Sequence, residues 1–400
     1  MEVSVRTPGL PGDEARADRR ARRIRPALAA LTLAALTGLL PAPAAAAPGV
    51  RALRVEDGAA FAHVGKSRRP ARLTLDPELQ RVAERLLAAS GAPEAAIVAS
   101  DVRTGRILVW ASRGDRDYVA TPLAPSASLF KLVTASALLE ENKVMPATPA
   151  CYTGGDHAIT RRELDARGAT CVPFGDALGR SINAVFARLA DRHLDAAELR
   201  RKARDLGFAG EIPIDVPTLP SEVEIPEDDL GLARAAAGFW TGRLTPLGAL
   251  FAMQTIANDG ERVRLTLLDT GRAPQRVVEG RGLGTREARL LREMLQITTR
   301  RGTCARAFRN PDGSRALGSM PVAAKTGTLV GSIPGAIPGA IPGQKGDRAR
   351  MFSWFASFAP ADKPEIAVAV LLSNGLKWRT KANLVGRELL EAWHRQGPRR

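Results

Sequence analysis

The sequence predicts an α+β domain: one sheet drawn from both ends of the chain, with a helical lobe inserted between. Three observations carry this. Short β-branched runs occur early, at 95–102 and 106–112. Similar runs return late, at 321–329, 351–358 and 366–372. The stretch between them has the 3.6-residue periodicity of helices. With 45% hydrophobic residues in 400, the chain can bury a real core.

The elements follow in order. Residues 48–70 mix Pro, Gly and charge without a clear period and read as a linker. Asp76-Pro77 is an N-cap followed by Pro at the first helical position, opening a helix to about 89, with Leu79, Val82, Leu86 and Leu87 on one face. Arg103-Thr104-Gly105 is a tight turn between the two early strands. Helices are expected at 128–141, 176–192, 195–206, 228–238, 246–258, 286–300 and 380–395. Asp195 with Glu198 reads as a capping box, and Gly207 as a C-cap. Residues 333–343 repeat Ile-Pro-Gly three times, a pattern that cannot join a strand ladder and so forms a loop.

The N-terminus has three parts. Arg19, Arg20, Arg22, Arg23 and Arg25 form a basic cluster, residues 27–40 are apolar, and a Pro/Ala-rich tail follows to Ala47. This is the pattern of a secretory signal. The apolar core falls short of the ~20 residues that span a bilayer, so a cleaved signal is expected over 1–47, with an uncleaved inner-membrane anchor as the alternative. Export places the chain in the periplasm or on the outer face of the cytoplasmic membrane. That compartment is oxidising, so Cys151 and Cys171 can pair across a 20-residue loop, leaving Cys304 over; three free buried thiols are the alternative.

The formal charge is +16, yet no recognition helix, zinc finger or aromatic-laced basic patch accompanies it, so nucleic acid is not an expected partner. The three cysteines and four histidines lack metal-ligand spacing, and no metal or other cofactor is expected.

The chemistry lies in three short motifs, in order: Ser128-Leu-Phe-Lys131, Ser181-Ile-Asn183 and Lys325-Thr326-Gly327-Thr328. Each alone is weak or moderate; the ordered set is strong. Only nine of the 58 basic residues are Lys, yet both motif bases are Lys. A base that accepts a serine proton must be able to lose its own, which Arg cannot. On a helix, residues three apart share a face, so Lys131 reaches Ser128 and can activate its hydroxyl. Burial and the nearby cation of Lys325 would keep Lys131 partly neutral. Ser181 can relay a proton to a leaving amine, and Asn183 can hold Lys131 and a substrate amide. Lys325 to Thr328 suit an edge strand, with Thr326, Thr328 and Lys325 offered to a carboxylate and Gly327 admitting a substrate backbone. Backbone N–H groups of Ser128 and Thr328 would form an oxyanion hole.

With these motifs the chain resembles the transpeptidase domain of penicillin-binding proteins, in the serine D,D-peptidase and β-lactamase-like superfamily. The likeness extends to Leu73–Gln80, Asp101–Leu108, Leu244–Leu247 with Ile256–Gly260, Gly302-Thr303 and Trp354-Phe355, covering roughly 71–395. It implies a five-stranded antiparallel sheet flanked by helices, within a domain spanning 71–400. It also implies that Ser128 attacks the D-alanyl-D-alanine end of a peptidoglycan stem peptide, releases D-Ala, and passes the acyl group to a neighbouring stem's amine. β-Lactam antibiotics would acylate the same serine. The sequence departs from the family's pattern in having Pro-Ser-Ala before Ser128, no glycosyltransferase domain ahead of residue 71, and the Ile-Pro-Gly repeat after Thr328. That repeat bears on acceptor access; a surface loop expansion is its plainer reading. The competing functions are hydrolysis of the same acyl-enzyme, as a D,D-carboxypeptidase or β-lactamase, and a non-catalytic lactam sensor or scaffold. Neither Tyr118 nor Tyr152 is followed by the Gly-Asn of class D β-lactamases.

Overall fold

A computed structural model describes residues 49–397, apart from 156–157, 166–167, 240–241, 274, 333–348 and 377–378. The N-terminal signal pattern and the Ile-Pro-Gly repeat lie outside the described residues.

The stretch expected as a linker instead forms strands. β1 (Val50–Glu56) and β2 (Ala59–Val64) pair as a hairpin, and β3 (Ala71–Leu73) joins β2. Asp57 and Gly58 at its tip both have positive φ, as a two-residue hairpin turn requires. The strands are rich in Ala and Arg, so the contrast between their faces is low and the period of two is faint. Val50 N–H donates to Asp117 Oδ2 at 2.7 Å, and Gly49 N–H to Pro217 O at 2.9 Å, which tie the sheet to the domain.

α1 (Pro77–Ser90) starts as expected: Asp76 accepts the Leu79 N–H at 2.7 Å, and Gly91 at φ 69° ends it. Its buried face is Leu79, Gln80, Ala83 and Leu87; Val82 and Leu86 are only partly covered. β4 (Glu94–Asp101) and β5 (Ile107–Arg113) follow, joined by a turn in which Asp101 Oδ1 accepts the Thr104 N–H at 2.7 Å.

The helical lobe contains α2 (Lys131–Glu140), α3 (Phe174–Arg180), α4 (Asn183–His193), α5 (Ala196–Asp205) and α6 (Asp229–Ala237). The Asp195–Glu198 capping box is complete. A two-stranded ribbon pairs Cys151 directly with Cys171, and the two are disulfide-bonded; Cys304 is free and buried. α7 (Pro246–Ala257) is buried on every side, the state its all-round apolar sequence dictates. α8 (Thr285–Arg300) packs on α3.

β6 (Ala323–Ser332), β7 (Ala349–Ala359) and β8 (Ile366–Asn374) complete the main sheet, and α9 (Ala382–Arg395) closes the domain. The spatial order is β6-β7-β8-β4-β5, every neighbour antiparallel. The early hairpin therefore pairs with the last strand, and β6 lies at an edge. α7 and the lobe cover one face, with Trp354, Phe358 and Val98 among the buried residues. α1 and α9 cover the other, with Phe355, Val368 and Leu389. Each such side chain fully removed from water contributes about 1.5–3 kcal/mol.

Candidate active site

Ser128 lies on a 3-10 turn, Ala127–Phe130, that runs straight into α2 at Lys131. The expected helix thus begins more tightly wound than an α-helix. In 3-10 geometry residues three apart stack directly, which aligns Ser128 with Lys131. The turn is entered through Ala127 at φ 49°, a left-handed conformation a non-glycine residue rarely adopts. The preceding backbone is fixed from the sheet: Trp354 Nε1 donates to Pro125 O at 2.8 Å.

The helix expected over 176–192 is broken. Ser181, at φ 60°, separates α3 from α4. Left-handed backbone costs a serine about 1–2 kcal/mol. In return, the break turns Ser181 and Asn183 toward Lys131. Lys131 Nζ donates to Ser128 Oγ at 2.7 Å, to Asn183 Oδ1 at 2.6 Å and to Ser181 Oγ at 3.4 Å. Asn183 Nδ2 in turn donates to Gly155 O at 3.1 Å.

β6 supplies the third motif, on the edge strand as expected. Lys325 and Gly327 face the lobe. Lys325 Nζ donates to Ser181 Oγ at 2.9 Å and to Thr326 O at 2.8 Å. Gly327 eases a close approach: a Cβ there would sit 3.4 Å from Ser128 N and 3.2 Å from the Ala127 Cβ, the latter tighter than ordinary contact. Thr326 and Thr328 alternate to the other side of the strand, and Thr326 shares a hydrogen bond with Thr303 at 2.6 Å between their hydroxyls. The five polar groups predicted from sequence, Ser128, Lys131, Ser181, Asn183 and Lys325, thus form one hydrogen-bonded cluster, with Thr326, Gly327 and Thr328 along its rim.

Both lysines are completely buried. Burial, and secondarily the charge of Lys325, holds Lys131 well below the usual lysine range. Burial brings Lys325 down to about 7, against a small opposing effect of Cys304. Burial also pushes the Cys304 thiol up to about 12, which keeps it an unreactive neighbour. Chemically, the arrangement joins a serine hydroxyl to an amine able to accept its proton.

The cluster opens into a cleft of about 420 Å³. Sequence reasoning did not assign Arg180, Thr303, Lys381 and Asn383 to this site, yet all four line it. Gly302-Thr303 had a signal in the family resemblance, and Arg180 is next to the second motif. Lys381 and Asn383 had none, because they arrive from the far end of the chain. A larger cleft of about 960 Å³ lies between the Asp101–Arg106 turn and Trp393. It holds no Ser-Lys pair, and its Arg276 is already paired with Glu261. Size alone therefore does not mark the reactive centre. Among the described residues no group of His, Cys, Asp and Glu is placed to hold a metal, and no helix is long and apolar enough to cross a membrane.

Residues 95–391 match the family described as the penicillin binding protein transpeptidase domain. Over 294 residues the chain is 27% identical to a peptidoglycan D,D-transpeptidase, PbpA, of Mycobacterium tuberculosis, a match covering 66% of this chain and 54% of that protein. The chain spans about half the length of the curated relatives it matches. Among solved structures, the transpeptidase domain of Burkholderia pseudomallei penicillin-binding protein 3 superposes with a TM-score of 0.66 at 22% identity, covering 81% of this chain and 96% of that one. Penicillin-binding protein A of M. tuberculosis, in its ceftriaxone acyl-enzyme complex, gives 0.62 at 22% identity, covering 80% and 79%. At these identities the structural likeness establishes the fold.

Proposed function

Because the chain belongs to the penicillin-binding protein transpeptidase family, we propose that it is an exported serine D,D-transpeptidase of peptidoglycan, acylated at Ser128. The observation that carries this is the 2.7 Å contact between Ser128 Oγ and a buried Lys131 whose charge is opposed by burial and by Lys325. Neutral Lys131 takes the Ser128 proton as the oxygen attacks the penultimate D-Ala carbonyl. The backbone N–H groups of Ser128 and Thr328 hold the resulting oxyanion. Lys131 returns the proton through Ser181 to the departing D-Ala nitrogen, and the peptide remains as an ester on Ser128. An amine from a neighbouring stem peptide attacks that ester, passes its proton back along the same route, and forms the cross-link. A β-lactam enters by the same attack, but its cleaved ring nitrogen stays attached and obstructs the second step.

Among the described residues that line the cleft, none is an Asp or Glu. With no carboxylate among those residues to activate water against the ester, a long-lived acyl-enzyme is the expected outcome with a lactam. Labelled penicillin tests the assignment. The wild type is expected to carry one stable adduct and Ser128→Ala none; equal labelling of the two proteins would overturn the role of Ser128. Rapid turnover of a chromogenic lactam would instead make the chain a β-lactamase. Mass analysis of a stem-peptide reaction with added D-amino acid then separates transfer from hydrolysis.

A further inference from the structure

The sequence offered Lys325 as the charge that meets the substrate's terminal carboxylate, together with Thr326 and Thr328. The structure turns Lys325 the other way. It is completely buried, and its ammonium is engaged by Ser181 Oγ and Thr326 O on the inner side of the edge strand. The hydroxyls of Thr303 and Thr326 face the outer side of the cleft. A carboxylate seated on those hydroxyls needs another cation.

Two further cations line that cleft, Lys381 and Arg180; Lys381 already has an interaction of its own, and Arg180 is the one whose backbone lies beside Thr303. It is the last residue of α3, immediately before Ser181, and its exposed side chain lines the same cleft as Thr303 and Thr326. The Thr303 N–H donates to Gly179 O at 3.2 Å, so the Thr303–Thr326 pair lies beside the Gly179-Arg180 backbone. Among the described residues the Arg180 side chain makes no hydrogen bond or ion pair. The acid one turn before it, Asp176, is held by Arg301 at 2.6 Å, which also removes Arg301 from contention. A guanidinium presents a planar fork that matches a carboxylate with two parallel bonds.

We propose that Arg180 is a substrate-binding residue that receives the free terminal carboxylate of the donor peptide, or the equivalent carboxylate of a β-lactam, above Thr303 and Thr326. This rests on the acyl-transfer reading of Ser128. The consequence is selectivity: donors ending in a free carboxylate are preferred over the same donors capped at that group.

Acylation rates with penicillin G and with its methyl ester test this on the full chain. The acid-to-ester ratio measures recognition of the carboxylate, and Ser128 chemistry is common to both compounds. In Arg180→Gln the ratio is expected to fall roughly 10- to 100-fold, as for loss of a charge-assisted pair. Arg180→Lys should recover part of the ratio, which a general loss of folding would not do. An unchanged ratio in a Ser128-labelled Arg180→Gln overturns the assignment of Arg180 alone. No adduct in the wild type with either compound overturns the acyl-transfer reading, and this one with it.

Discussion

Two places in this molecule bury a lysine, and they do so with opposite chemistry. Lys202, on α5, lies almost wholly inside the protein. It is met by Glu140 at 2.7 Å, Asp205 at 3.4 Å and the Gly282 carbonyl at 2.8 Å. Lys131 and Lys325 are at least as buried, but their hydrogen-bond partners are hydroxyls, an amide oxygen and a backbone carbonyl. A buried cation is expensive unless an opposite charge accompanies it. At Lys202 the counter-charges are supplied and the group serves as a structural bolt between α5, α2 and the chain before α8. At the site none is supplied among the described residues, and burial pushes both lysines toward their neutral form. The contrast teaches that burial alone does not make a lysine a base; burial without a carboxylate does.

The largest effect expected from this contrast is at Lys131. Lys131→Arg should lower the rate of penicillin acylation about 10³-fold, close to the loss in Lys131→Ala, because arginine keeps the charge but cannot surrender its proton. A Lys131→Arg rate within tenfold of wild type would break the comparison.

The pH profile sharpens it. The base form of Lys131 is the neutral one, so acylation rises with pH along an acid limb set by its depressed pKa. Below about pH 7 Lys325 is protonated and repels a proton on Lys131. Lys325→Gln removes that repulsion, raises the Lys131 pKa, and should move the acid limb to higher pH. Acylation followed from pH 5 to 10 reads the limb directly, and a limb that stays still or moves down contradicts the sign.

The smallest effect on chemistry is expected at Lys202. Lys202→Met should cost about 1–3 kcal/mol in a denaturant titration, because it strands Glu140 and Asp205 beside an apolar side chain. The acylation rate of the folded protein should stay within about twofold, with its acid limb unmoved. A shifted limb would mean that the two lysine sites are coupled.

Much of this was legible in the chain. Asp76-Pro77, the Asp195–Glu198 box and the apolar 246–257 run each act within a few residues, so local physics is enough to place them. The short β6–β8 strands were placed to within a few residues for the same reason. The β1–β2 hairpin was missed although Asp57-Gly58 announced it, because its Ala- and Arg-rich strands offer little apolar contrast. The break at Ser181 was missed for a different reason. Nothing in Gly-Arg-Ser-Ile-Asn forbids a continuous helix, and the left-handed Ser181 is held by contacts with Lys131 and Lys325, distant by 50 and 144 residues.

By itself, then, the sequence determined the inventory of the site: a hydroxyl, two amines that can lose a proton in a chain that otherwise prefers arginine, and a Lys-Thr-Gly-Thr strand. Residue identity sets those chemical capacities wherever the groups end up. Only the tertiary structure decided which way they face. It turned Lys325 inward onto Ser181, paired Cys151 with Cys171, gave Lys202 two carboxylates but Lys131 and Lys325 none among the described residues, and set the Arg180 side chain in the cleft beside Thr303 and Thr326. Orientation and counter-charge are properties of contacts between distant segments, and local propensity carries no record of them.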